Sequence, residues 1–233
     1  MTKRTAILFF AKNPLADEKM LRFPRYLAPA FRGAFGILHA RTASLLKQTG
    51  RSVFHSSEAN QTGSYFGMRI TTALAEVFEK GYESVLVVGN DSPDLSRNDL
   101  ENAIARLEAG HNVLGPSTDG GAYLIGVQKN FFRAEEWEDL PWCTTQLFQS
   151  LQEVLFKAGT TQPDLLRKLT DLDHAESIRR WLKRPTHKIL KSLVAFLRAL
   201  ISFAPMAELF RESPFIARSV RFSKGLRAPP LFA

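Results

Sequence analysis

The sequence predicts an α/β fold built on a largely parallel sheet. Three observations carry that prediction. Short apolar runs such as "AILFF" (6–10) and "SVLVV" (84–88) have the length and composition of strands covered on both faces. Segments with helical spacing lie between such runs. Glycines at 50, 81, 110 and 159 follow the helical segments, where a left-handed terminator is common.

The elements follow in chain order. After "AILFF", residues 11–27 ("AKNPLADEKMLRFPRYL") hold two prolines and mixed charge, and predict a long loop. Residues 28–48 predict a helix, "SVFHS" (52–56) a strand, and "QTGSYFG" (61–67) a loop. A helix over 68–80 leads to the strand 84–88. Ser96 with Asp99 three residues on is a capping-box start for a helix that ends at Gly110. "NVLGP" (112–116) and "AYLIGV" (122–127) predict strands around the turn "STDGG". Residues 144–158 predict a helix, 165–172 fit neither period, and 174–184 predict a last helix. Such alternation implies right-handed crossovers between parallel strands.

A tail begins near Pro185. Ile189, Leu193, Leu197, Leu200 and Ile201 share one face of a predicted helix, with Lys191 and Arg198 opposite, and Pro205 ends it. The expected organisation is therefore a domain over 1–184 and a basic helical extension over 185–233. Two uses of the extension stay open: docking on the body or on a second copy, and peripheral contact with anionic lipid.

Composition bounds the function. With 45% apolar residues, 233 residues can bury a sizeable core. The net charge of +8 belongs to the tail. Residues 179–233 hold 12 Lys/Arg and two Glu, leaving 19 basic and 21 acidic residues elsewhere. The body lacks the basic stripe of a nucleic-acid binder, and no such partner is expected. A single cysteine, Cys143, excludes an internal disulfide framework and a cysteine-based zinc site, and a cytoplasmic location is expected. No run of about 18 uncharged apolar residues predicts a transmembrane helix. Neither a GxxxxGK[ST] loop nor a GxGxxG follows the first strand, which argues against kinases and dinucleotide dehydrogenases.

Candidate chemistry gathers in three acidic stretches. Asp91 in "GNDSPDL" follows the buried strand 84–88, and ligands of parallel sheets bind beyond the strands' carboxyl ends. A carboxylate there either holds a hard divalent cation or caps the next helix. Asp119 precedes Gly120 and Gly121, where a ligand can approach the main chain; alone, this reads as a hairpin turn. Asp171 and Asp173 precede the last predicted helix, where acids suit the macrodipole.

In order, "QTGSYFGMR", "GNDSPDL", "GPSTDGGAYLIGV", "LPWCTTQLFQSL" and "DLDHAESI" resemble the motif blocks of a bacterial family of GT-A-like transferases. That family is known as radical-SAM/selenodomain-associated transferases or glycosyltransferases of arsenosugar biosynthesis. It is similar to the guanylyltransferases of molybdenum-dinucleotide and phospholactate cofactors. The resemblance covers roughly residues 5–182. It departs from the family in the first loop, where Asp17 and Glu18 stand near the family's glycine, and at Asn90 and His174.

The resemblance implies a three-layer nucleotide-diphospho-sugar transferase fold of GT-A type. It implies a divalent cation, Mg or Mn, held by Asp91 and by Asp173 in preference to Asp171. Asp119 is the implied catalytic residue, bonding sugar hydroxyls or acting as base. The implied substrate contacts are Lys12, Lys19, Arg22, Gly120, Gly121, Tyr123, Trp142 and Thr144. The implied reaction is glycosyl transfer from a nucleotide sugar to a small acceptor. Nucleotidyl transfer to a phosphorylated small molecule and a non-catalytic scaffold are the alternatives.

Overall fold

The structure is a computed structural model that describes residues 4–13, 28–159, 161–173 and 175–183, with the isolated position 195. Lys19, Arg22 and the predicted tail helix lie outside the described residues, as does nearly all of 185–233.

Six strands form one sheet in the order β2-β1-β3-β5-β4-β6. They are β1 (Thr5–Phe10), β2 (Ser52–Ser56), β3 (Ser84–Val88), β4 (Val113–Pro116), β5 (Ala122–Gln128) and β6 (Asp164–Leu165). Every neighbouring pair is parallel except those made by β5, which runs against both β3 and β4. The sheet is thus mostly parallel, as the alternation predicts. The antiparallel member comes from the tight turn before β5: Gly120 sits at φ +92°, a conformation that favours glycine.

Helices cover both faces. They are α1 (Ala28–Gln48), α2 (Phe66–Glu79), α3 (Arg97–Glu108), α4 (Ala134–Glu138), α5 (Leu147–Gly159) and α6 (Ala175–Leu182). The period-2 alternation of the strands divides the core. Ala6, Leu8, Val85, Val87 and Ile125 pack with Ile70, Leu74 and Val77 of α2 and with Leu151 and Leu155 of α5. Their neighbours Ile7, Phe9, Leu86, Val88 and Leu124 face the other way, onto Leu46 of α1 and Leu100, Ile104 and Leu107 of α3. All five residues of β3 are buried, which explains its unbroken apolar run.

The capping box at α3 forms as its sequence predicts. The Asp99 amide donates to the Ser96 hydroxyl oxygen (3.3 Å), and the Ser96 amide donates to Asp99 Oδ2 (2.9 Å). Helix α2 starts at Phe66, two residues before the predicted start; its N-cap, Tyr65, makes no side-chain capping bond that the sequence would signal. Helix α4 was not expected. It is five residues long, and the fully buried Trp137 anchors it.

Two features of this topology build a cleft. Connections leave β1 toward β2 on one side, while β3 flanks it on the other, so the β1/β3 pair is the switch point where loops part. The segment after β6 then crosses back over that opening. Thr118 N donates to Leu169 O (2.9 Å), Leu169 N to Pro116 O (3.0 Å), and Leu172 N to Asp91 O (2.9 Å). The stretch 165–172, without a period in sequence, begins in β6 and runs on to Asp173 as a strap whose backbone bonds go to β4, to the β4–β5 turn and to the loop after β3.

Candidate active site

Lys12 lies just beyond the carboxyl end of β1, and Asp91 just beyond that of β3. The β4–β5 turn supplies Ser117, Asp119 and Gly121, and the strap supplies Asp171 and Asp173. Together with Tyr123, Trp142 and Thr144 they line one cleft of about 520 Å³.

Three carboxylates converge in it. Asp119, Asp171 and Asp173 each present an oxygen such that these atoms lie within 4.8 Å of one another. Two are half-buried and Asp119 is exposed. Hydrogen bonds from neighbouring groups hold Asp119 and Asp171. Gly121 N donates to Asp119 Oδ1 (3.1 Å), as does the Ser117 hydroxyl. The Ser92 hydroxyl donates to Asp171 Oδ1.

The electrostatics follow from burial and like charge. Desolvation pushes the Asp171 carboxyl up to about 8; the Ser92 hydrogen bond opposes this, and the charges of Asp91, Asp173 and Asp119 add to it. Asp91 therefore stands close enough to Asp171 to act on it, although it is not one of the converging trio.

The strap is clamped on its outer side. Arg167 donates from Nε to Asp99 Oδ1 (2.8 Å) and from Nη2 to Asp99 Oδ2 (2.7 Å) and Asp94 O (2.7 Å). Burial works to raise the Asp99 carboxyl, but its bonds to Arg167 and Ser96 outweigh that and hold it below the usual range. Tyr123, 5% exposed, donates its hydroxyl to Arg167 O (3.0 Å). Trp181 Nε1 donates to Asp94 Oδ2 (3.0 Å), tying α6 to the same loop.

The far wall is aromatic. Trp142 Nε1 donates to Trp137 O (2.7 Å), and the Trp142 ring lies 5.5 Å from that of Phe66. Gly67 lets α2 approach this wall, since a Cβ there would overlap Glu138 O and lie 2.9 Å from Trp142. The Thr144 hydroxyl donates to Pro141 O (2.7 Å).

Of the residues singled out in the sequence, Lys12, Asp91, Asp119, Gly121, Tyr123, Trp142, Thr144 and Asp173 line the cleft. Gly120 does not line it; it is pressed against the backbone of Thr145, and its carbonyl accepts from Phe148 N (3.0 Å). Asp171, placed second to Asp173 in the sequence, is the most perturbed acid of the group. Gln61 and Arg69 also line the cleft; in sequence they stand out only as members of the "QTGSYFGMR" block.

Comparison with known proteins agrees with this architecture. The family described as "Uncharacterized protein conserved in bacteria (DUF2064)" matches residues 37–144, just under half of the chain. No curated protein matches the sequence. A crystal structure from Desulfovibrio desulfuricans G20, provisionally described as a nucleotide-diphospho-sugar transferase, is 22% identical with a TM-score of 0.75. The match covers 86% of this chain and 97% of that one. A manganese complex of Rv0371C from Mycobacterium tuberculosis H37Rv is 14% identical, with 78% and 100% of the two chains covered. Its TM-score is 0.41. The chain thus has a three-layer α/β fold of the nucleotide-diphospho-sugar transferase kind.

Proposed function

We propose that the protein is a divalent-cation-dependent transferase that takes a nucleotide-diphospho-sugar and passes the sugar to a small acceptor. The observation that carries this reading is the convergence of Asp119, Asp171 and Asp173 at the switch point of the sheet. An all-carboxylate donor set suits a hard cation, Mg²⁺ or Mn²⁺. The raised Asp171 carboxyl fits the same group, because a cation offsets the desolvation, and the smaller like-charge repulsion, that otherwise retain a proton. When bound, the cation would neutralise diphosphate charge and ease departure of the nucleoside diphosphate.

The chain's own groups have separable tasks. Ser117 and Gly121 N orient the Asp119 carboxylate, and Ser92 orients that of Asp171. Asp119, the exposed member, is also placed to accept from a sugar or acceptor hydroxyl. Trp142 offers an apolar face against which a ring can lie, and Thr144 a hydroxyl at its edge. Lys12 brings positive charge from the β1 side.

Thermal shift with Mn²⁺ and a panel of nucleotides tests the reading. Nucleoside diphosphates are expected to stabilise the protein only when Mn²⁺ is present. A preference for triphosphates with release of pyrophosphate would replace glycosyl by nucleotidyl transfer. No response to Mn²⁺ with any nucleotide would leave a scaffold.

A further inference from the structure

Nine buried polar side-chain atoms have no hydrogen-bond partner among the described residues. Only two of them belong to residues that line the cleft: Gln61 Oε1 and Arg69 Nε. Buried polar atoms left unpaired are costly, and in native proteins each calls for an explanation. Neither residue belongs to the acidic cluster.

The local fold holds both in place. The Gln61 amide N donates to Ser57 O (2.9 Å), and its side-chain Nε2 donates to Ser56 O (3.1 Å), at the end of β2. With Nε2 committed, Oε1 remains as a fixed acceptor. Gly63, at φ +135°, turns the chain tightly onto α2; a Cβ there would crowd Met68 and the Arg69 amide (3.0 Å). Gly67 seats the first turn of α2 against Trp142. The block "QTGSYFGMR" is thus a folded unit: its two glycines allow the close turns, and Gln61 and Arg69, each with one buried unpaired atom, line the cleft.

We infer that Gln61 and Arg69 form a subsite for a diphosphate-bearing ligand in the cleft that also holds the carboxylates. The Arg69 guanidinium binds phosphoryl oxygens, which its planar fork of donors suits. Gln61 Oε1 accepts from an N–H or O–H on the organic part of the same ligand. The carboxylate cluster without its cation would repel such an anion, and Arg69 adds positive charge to that of Lys12 on the cleft wall. This inference names the residues that receive the donor in the function proposed above and rests on that reading for the ligand's class.

Calorimetric titration of the full chain with inorganic pyrophosphate, with and without Mn²⁺, tests it. Wild type is expected to bind pyrophosphate, and Arg69→Met to bind it at least about tenfold more weakly. Mn²⁺ affinity, read by electron paramagnetic resonance, is expected to stay the same in that variant. Gln61→Met is expected to keep its pyrophosphate affinity and to lose affinity for nucleoside diphosphates. Displacement of pyrophosphate by a nucleoside diphosphate, and not by a sugar monophosphate, marks the nucleotide as the source of the group; the reverse marks the acceptor. Protection of Arg69 from phenylglyoxal by pyrophosphate, read by mass spectrometry on wild type, serves if Arg69→Met does not fold. Unchanged pyrophosphate affinity in Arg69→Met, no binding by wild type, or equal labelling of Arg69 with and without pyrophosphate overturns the inference. Arg69-dependent pyrophosphate binding without any Mn²⁺ binding would refute the cation reading and leave this subsite standing.

Discussion

Replacing Asp171 by Asn should make the cation-free protein more stable at alkaline pH. Asn keeps an oxygen for the Ser92 hydroxyl and removes the charge. An acid raised from 3.8 to about 8 binds its proton more tightly in the folded state than in the unfolded one. Its stabilising contribution is complete below about 3.8 and is lost as pH rises through about 8. A shift of about four units has a ceiling near 6 kcal/mol at about 1.4 kcal/mol per unit. Water entry and structural relaxation lower that figure, and we expect about 2–3 kcal/mol to be lost between pH 5 and pH 9. Urea unfolding in EDTA at pH 5, 7 and 9 measures it. The variant is expected to come nearest to wild type at pH 5 and to exceed it most at pH 9, the difference isolating Asp171 from other titrating groups. Saturating Mn²⁺ is expected to restore wild type at pH 9 and to do far less for the variant. Parallel pH profiles for the two proteins, or a variant less stable at pH 9, would refute the burial of the Asp171 carboxyl beside its acidic neighbours.

Arg167→Ala should cost about 1–3 kcal/mol at pH 7, because it leaves the Asp99 carboxylate without its paired donors. Asp99 is depressed, so the contribution exists above the ordinary carboxylate range and disappears as pH falls through the folded value. Unfolding at pH 7 and pH 2.5 checks this, and an equal loss at both would exclude the ion pair as its cause. Gly120→Ala should cost about 2 kcal/mol or more, since a Cβ would meet Thr145 O at a backbone angle that L residues rarely adopt; a neutral outcome in chemical denaturation contradicts the turn. Asp173→Asn should weaken Mn²⁺ by at least about tenfold, and Asp91→Asn by less, because Asp91 stands beside the converging trio and acts on Asp171. Reversal of that order in Mn²⁺ titrations would make Asp91 the principal ligand. Mn²⁺ affinity in wild type should also rise from pH 6 to pH 8.5 with release of a proton from Asp171, and titration in buffers of differing ionisation enthalpy reads that proton.

What the sequence revealed and what it concealed divide along a physical line. Val85–Val88 could be read as a doubly covered strand because burial on both faces leaves an unbroken apolar run. The start of α3 was legible because a capping box is local chemistry. The position of β5 was not: its alternation marks a strand, but its place between β3 and β4 depends on packing against Leu107 and on the β4–β5 turn. Asp171 and Asp173 look alike in sequence. Only the strap, pinned by Leu169 N and Leu172 N, shows that Asp171 is the acid driven to retain its proton. Gln61 and Arg69 carried a motif without a mechanism. Their significance rests on missing partners, and hydrogen-bond satisfaction cannot be read from residue order.

The proposed chemistry requires that Asp119, Asp171 and Asp173 share one ion. Anomalous diffraction from crystals grown with Mn²⁺ measures this directly. The predicted result is a single peak within coordination distance of Asp119, Asp171 and Asp173. A cleft without that peak at saturating Mn²⁺, or a peak bound elsewhere on the protein, would contradict it.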